Sequence, residues 1–153
     1  MSRRDQIKLT SEEQAEFLAQ ARTMALCTIG KDGYPHVVAM GYMVKDGCIY
    51  MTSYRKAQKV VNIRRNPKVA VMIESGTAYH ELKGLMIRGR CEVIDDPGEV
   101  GKIIRQMRER QEENPPPPAD ALDKAHLQKR VVLKIIPEKV AGWDHSKLGP
   151  GVY

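Results

Sequence analysis

The sequence predicts a mainly β fold: a small antiparallel barrel with helices attached. Three observations lead there. Short apolar runs with period-two alternation follow one another through the first hundred or so residues. Two joints between them, Lys31-Asp32-Gly33 and Asp46-Gly47, are hairpin turns. The alternating strand–helix–strand units of a parallel sheet are missing, and neither a GxGxxG nor a Walker A pattern occurs, which argues against Rossmann and P-loop folds. With 153 residues and 42% apolar composition, the chain is expected to be one globular domain, residues 1–153.

The elements follow in order. Thr10 caps a helix that ends near Arg22, and Glu13 completes a capping box; Phe17, Leu18 and Ala21 form its apolar face. Met24 to Ile29 is a short strand, Tyr34 to Val44 the next, and Cys48 to Ser53 the third. A short helix over 57–65 buries Val60, Val61 and Ile63 and stops before Pro67. Lys68 to Glu74 alternates as a strand. Leu82 to Ile94 is a longer one, with Gly84 and Gly89 free to bend or bulge. Asp96 caps, and Pro97 begins, a helix to about Glu113. Pro115 to Pro118 reads as a stiff connector, Ala119 to Leu127 as helix, and Lys129 to Ile136 as the last strand before a polar, glycine-rich tail.

Charge narrows the function. A net charge of +6 favours anionic partners: nucleic acid, a phosphorylated cofactor or an acidic small molecule. Aromatic residues make up 5%, which is thin support for base stacking, and no nucleic-acid motif accompanies the 55–68 basic run. No partner of that kind is expected. Met1 to Thr10 is charged and no apolar run approaches the ~20 residues of a membrane helix, so the chain is expected to be cytoplasmic, with no membrane partner. Cys27, Cys48 and Cys91 lack metal-ligand spacing; no metal site is expected, and the thiols read as buried or edge residues.

The stretch from Ile49 to Pro67 carries the most information. A strand ends in Thr52 and Ser53, a basic turn follows, and the helix opens with Arg55, Lys56 and Lys59 crowding its N-terminus. The helix dipole is positive there, so each such cation costs about 0.3–1 kcal/mol unless an anion offsets it. Free backbone N–H groups at that end favour one. Arg64 and Arg65 sit in the last turn, where cations are favourable. The alternative is a solvated basic turn.

Four segments together resemble the FMN-binding split-barrel superfamily, the pyridoxamine 5′-phosphate oxidase-like proteins: Ala25 to Ala39, Ile49 to Ser53 with Lys59, Asn62 to Val71, and Gly84 to Ile94. The resemblance implies an antiparallel split β-barrel and a homodimer with two cofactor sites at the subunit interface. Within the superfamily the chain is most similar to the branch that uses coenzyme F420, a deazaflavin, on the strength of the closing segment Trp143 to Leu148. It departs from true pyridoxamine 5′-phosphate oxidase, being shorter and lacking that enzyme's arginine-containing C-terminal motif.

Carried over by position, the resemblance assigns the cofactor phosphate to Thr52, Ser53, Arg55 and Lys59, with Lys56 between them. It lays Val37, Val38, Ala39 and Met40 along the flavin ring, backbone first. It brings Trp143 and His145 to the cofactor from the partner subunit. The implied function is an F420H2-dependent oxidoreductase passing hydride to a small organic substrate. FMN is the alternative cofactor, and a non-enzymatic cofactor- or haem-binding protein the alternative role. No catalytic side chain is assigned, because hydride chemistry belongs to the cofactor. His36 and His145 remain candidates for a role near the ring, and Arg88 with Arg90 either bind an acidic cofactor tail or keep their strand face soluble.

Overall fold

The structure is a computed structural model that describes residues 1–110 and 124–152. Its elements are α1 (Arg3–Gln6), α2 (Ser11–Gln20), β1 (Thr23–Ile29), β2 (Pro35–Gly41), β3 (Met43–Lys45), β4 (Cys48–Tyr54), α3 (Gln58–Arg65), β5 (Lys68–Ser75), β6 (Lys83–Ile94), α4 (Pro97–Arg110), α5 (Lys124–Gln128) and β7 (Arg130–Asp144). The strands form one antiparallel sheet in the order β2-β1-β5-β6-β7-β4-β3. The sheet curls until β2 lies against β4, yet no ladder joins that pair. The barrel is therefore split along a seam, with β2 on one side and β4 on the other.

Alternation sorts the side chains. Leu26, Ile49, Met51, Val71, Leu85, Leu133 and Ile135 point inward and are almost wholly buried, and Val60 and Ile63 of α3 join them. A second cluster forms outside the barrel, where Val100, Ile103, Ile104 and Met107 of α4 cover Met43 and Val132. The first half of β7 is thus buried on both faces, which is why its sequence reads Val-Val-Leu without alternation.

Local signals hold where they are strong. Thr10 and Glu13 form the capping box of α2, and the Glu99 N–H donates to Asp96 at the start of α4. At the Asp46-Gly47 turn both residues have positive φ, 51° and 75°, as a two-residue hairpin loop requires.

Several expectations need correction. The strand Tyr34–Val44 is broken at Tyr42, whose buried side chain donates its hydroxyl to the Leu18 carbonyl at 2.5 Å and turns the chain across the seam. In α3 the position buried with Val60 and Ile63 is Asn62, and Val61 is 48% exposed. On a helix Val61 and Asn62 each lie about 100° outside the arc shared by Val60 and Ile63; Asn62 is the one drawn inward, where it donates to the Thr28 hydroxyl at 3.0 Å. The last strand does not stop at Ile136 but runs to Asp144, because β6 is long enough to pair with it to the end. Pro137 fits because the ladder shifts register at Gly89, where Glu138 is the extra residue. A Cβ on Gly89 would collide with the Ile136 carbonyl. The last residues of the helix expected to reach Glu113, the polyproline stretch 115–118 and the start of the helix expected from Ala119 lie outside the described residues; of that second helix, Lys124–Gln128 is seen as α5.

The thiols of Cys27, Cys48 and Cys91 are free, and burial pushes Cys91 up to about 12. Among the described residues no helix is long and apolar enough to cross a membrane.

Candidate functional site

The end of β4 builds the site from alternation. Ser53 follows Met51 into the barrel and is 4% exposed, whereas Thr52 faces outward with Tyr50 and Tyr54. The two hydroxyls that the sequence puts side by side thus point to opposite faces. Ser53 donates to the Tyr54 carbonyl at 3.4 Å, and Thr52 accepts from Nη2 of Arg130 at 2.9 Å.

After β4 the chain turns through Arg55 to Ala57 and enters α3. Ala57 is the N-cap; it has no side-chain cap, and the first turn holds no acidic residue. Lys59 is half-buried beside this end. Burial first, and then the nearby charge of Arg130, push its ammonium below the usual lysine range. Arg130, the first residue of β7, sits opposite Tyr54 in the ladder and lies 4.5 Å over its ring. Its Nε is buried and has no hydrogen-bond partner. Lys56 is exposed, on a cavity of about 310 Å³ lined also by Tyr54, Arg55, Gln128 and Lys129.

Arg55 behaves differently. Its Nε donates to the Gln128 carbonyl at 3.1 Å, and its Nη1 pairs with Asp95. Asp95 also takes Nη2 of Arg64 at 2.8 Å. The Arg64 hydrogen bond, with both guanidinium charges, holds the Asp95 carboxyl below the usual carboxylate range.

Across the seam lies β2. Val38 and Met40 pack on the core, while Val37 and Ala39 face outward, Val37 at 59% exposed. β2 pairs only with β1, so its other edge offers unpaired backbone groups. A cavity of about 640 Å³ lies between the β1–β2 turn and α3, with His36, Tyr34, Gln58 and Asn62 in its lining. Gln58 donates to Asn62 at 2.8 Å and the buried Asn62 to Thr28, so a chain of amides braces the first turn of α3 against β1. The Nδ1 of His36 is buried there without a partner.

Trp143 and His145 lie elsewhere. β7 carries Trp143 up to roughly 40 Å along an extended strand from Arg130. Its ring covers Gly84, where a Cβ would overlap the indole. His145 donates Nδ1–H to the Tyr79 carbonyl at 2.9 Å, and the two rings stand 4.6 Å apart. Within one chain, then, the structure brings Thr52, Lys56 and Lys59 to one turn, with the Val37–Met40 strand across the seam. It does not bring Trp143 or His145 there.

Sequence reasoning missed Arg130 and Gln58. The only local sign of Arg130 was a Lys-Arg pair opening an apolar run, which reads as a solvated strand start; its place beside Tyr54 depends on a ladder between residues 76 positions apart (130 − 54). The donor set fits a phosphate ester: an ammonium, a guanidinium with an orphaned N–H, a hydroxyl and an uncapped helix N-terminus.

The fold is that of the flavin-binding split barrels. The chain belongs to the pyridoxamine 5′-phosphate oxidase family, whose model matches residues 10–144. Among solved structures, it is 33% identical to the conserved hypothetical protein Rv2991 of Mycobacterium tuberculosis, covering 100% of this chain and 96% of that one with a TM-score of 0.86. It is 27% identical to an F420 reductase, over 82% and 93% of the two chains, TM-score 0.64. It is 26% identical to an FAD-binding protein of Mesorhizobium loti, over 88% and 94%, TM-score 0.64. No curated protein sequence matches it.

Proposed function

We propose that this protein is an F420H2-dependent oxidoreductase that works as a homodimer and reduces a small organic substrate. The observation that carries the reading is the start of α3: a helix end with no acidic or hydroxyl cap, flanked by Lys59, Arg130 and Thr52. Such an end is stable when a phosphate sits on it. The unpaired edge of β2 supplies backbone donors and acceptors for a ring edge across the seam. When bound, the deazaflavin supplies two-electron hydride chemistry at its ring C5; the residues here bind it, orient it and limit water.

The choice of F420 over FMN rests on the likeness to an F420 reductase and on the net charge of +6, which suits a cofactor with extra carboxylates. The dimer rests on geometry. Trp143 and His145 can meet a cofactor held at Lys59 only if a second copy brings them. The outward row Ala39, Ala25, Met72, Met86, Ala141, aligned by strand register, offers an apolar face for that copy.

The test is parallel titration of the apo protein with F420 and FMN at two salt concentrations. F420 should bind more tightly and lose more affinity as salt rises. Equal or tighter FMN binding would move the function to an FMN enzyme. Sedimentation that shows a stable, cofactor-binding monomer at micromolar concentration would refute the dimer.

A further inference from the structure

The likeness to the family assigns phosphate binding to Arg55, yet the Arg55 guanidinium is committed elsewhere: to the Gln128 carbonyl and to Asp95, which Arg64 also holds. Its Nε and Nη1 thus already have acceptors, one of them a carboxylate. Arg130 is in the opposite condition. We propose that Arg130 replaces Arg55 as the phosphate-binding arginine of this chain, forming a clamp with Lys59 and Thr52 while Asp95 ties Arg55 back. The proposal rests on the phosphate reading given above and deepens it.

Separate features of Arg130 support this. The ladder sets it directly opposite Tyr54, and the ring beneath its guanidinium fixes the plane of the fork. One N–H is spent on Thr52, which anchors the side chain beside a second donor. Its Nε–H is buried and unmet, an expensive state for a charged donor. A residue serving only as a strut for Thr52 would have no need of it, whereas an arginine meeting a phosphate uses such N–H groups in pairs. Finally, Lys59 stands close enough for the two charges to repel, and the ion pairs of the described residues include neither. Two cations held together without a carboxylate, at a helix end without a cap, are balanced by an anion.

The shared ligand chemistry is a phosphate ester, and the sources are the monoester of FMN and the diester of F420. The experiment measures binding of each, and of riboflavin and the phosphate-free deazaflavin, to wild type and to Arg130→Gln, Arg130→Lys, Arg55→Gln and Asp95→Asn. Arg130→Gln is expected to weaken the phosphorylated cofactor at least about tenfold and to leave its phosphate-free counterpart unchanged. Arg130→Lys, which keeps the charge but not the fork, should fall between and guards against a folding defect in the glutamine variant. Arg55→Gln should change affinity less than about threefold, and Asp95→Asn should tighten it severalfold by releasing Arg55. Inorganic phosphate should compete with the cofactor on wild type and much less on Arg130→Gln. A loss in Arg55→Gln that equals or exceeds that in Arg130→Gln overturns the proposal. So does a loss in Arg130→Gln shared equally by the phosphate-free compounds, since Arg130 would then be a strut. If wild type binds phosphorylated and phosphate-free compounds alike, the phosphate reading itself fails, a result distinct from either.

Discussion

Helices α2 and α3 are similar in length but begin in opposite ways. At α2, Thr10 accepts from the Glu13 N–H, and the Glu13 carboxylate accepts from the Thr10 N–H at 2.7 Å. A carboxylate thus sits on the positive end of the dipole, and Lys147 reaches in from the C-terminal segment to pair with it at 2.6 Å. The α4 start follows the same pattern with Asp96. At α3 an alanine stands in the capping place, the first turn holds no acidic residue, and Lys59 lies within it. The first arrangement is complete within the chain; the second is complete only with an anion added. Helix formation alone would favour the α2 pattern at both places, so the α3 start is where folding rules give way to binding.

The largest expected effect tests whether that incompleteness is functional. Lys59→Ala should weaken cofactor binding by roughly 10- to 150-fold, the worth of one charge-assisted hydrogen bond, while the apo protein keeps or slightly gains stability. A sharp fall in apo stability with unchanged affinity would make the lysine structural. Next, Thr10→Ala should cost about 1 kcal/mol of stability, read as a lower denaturant midpoint, and leave cofactor affinity alone. The inverse change makes α3 resemble α2: Ala57→Asp should raise apo stability by about 0.5 kcal/mol and weaken the phosphorylated cofactor. If it strengthens binding, the phosphate does not sit at this end.

The smallest effects are in pH. Glu13 is held below its ordinary 4.5 by the Lys147 hydrogen bond and then the Thr10 N–H. Its contribution is present above that value and is lost as pH falls through the lower, folded value. Lys59 is displaced below 10.5 by burial and then by Arg130. As pH rises through its folded value toward 10.5, the native state releases the proton first, the unfolded chain holds more protons, and apo stability rises. Denaturant titrations of apo wild type, Glu13→Gln and Lys59→Ala across pH should flatten the acid limb in the first variant and the alkaline gain in the second. A Lys59→Ala profile that matches wild type at high pH would remove the charge-crowding account of α3.

The sequence by itself determined the parts whose causes lie within a few residues. The two hairpins follow from Lys31-Asp32-Gly33 and Asp46-Gly47, the starts of α2 and α4 from Thr10, Glu13 and Asp96, and the inward faces of β5 and β6 from period-two alternation. The unusual basic start of α3 was legible for the same reason, since a dipole and its neighbouring charges are local. Tertiary structure decided everything that needed two distant segments to meet. Only the β4–β7 ladder puts Arg130 beside Thr52, and only the approach of residue 95 to the turn at 55 diverts Arg55. Burial of Asn62 in place of Val61 was set by Thr28, a hydrogen-bond partner 34 positions back that no helical periodicity contains. The far reach of β7, which carries Trp143 and His145 away from the phosphate turn, was set by the length of β6. Strand register is a long-range property: one residue of slip would turn each of these side chains to the other face, and no short stretch of sequence records which register wins.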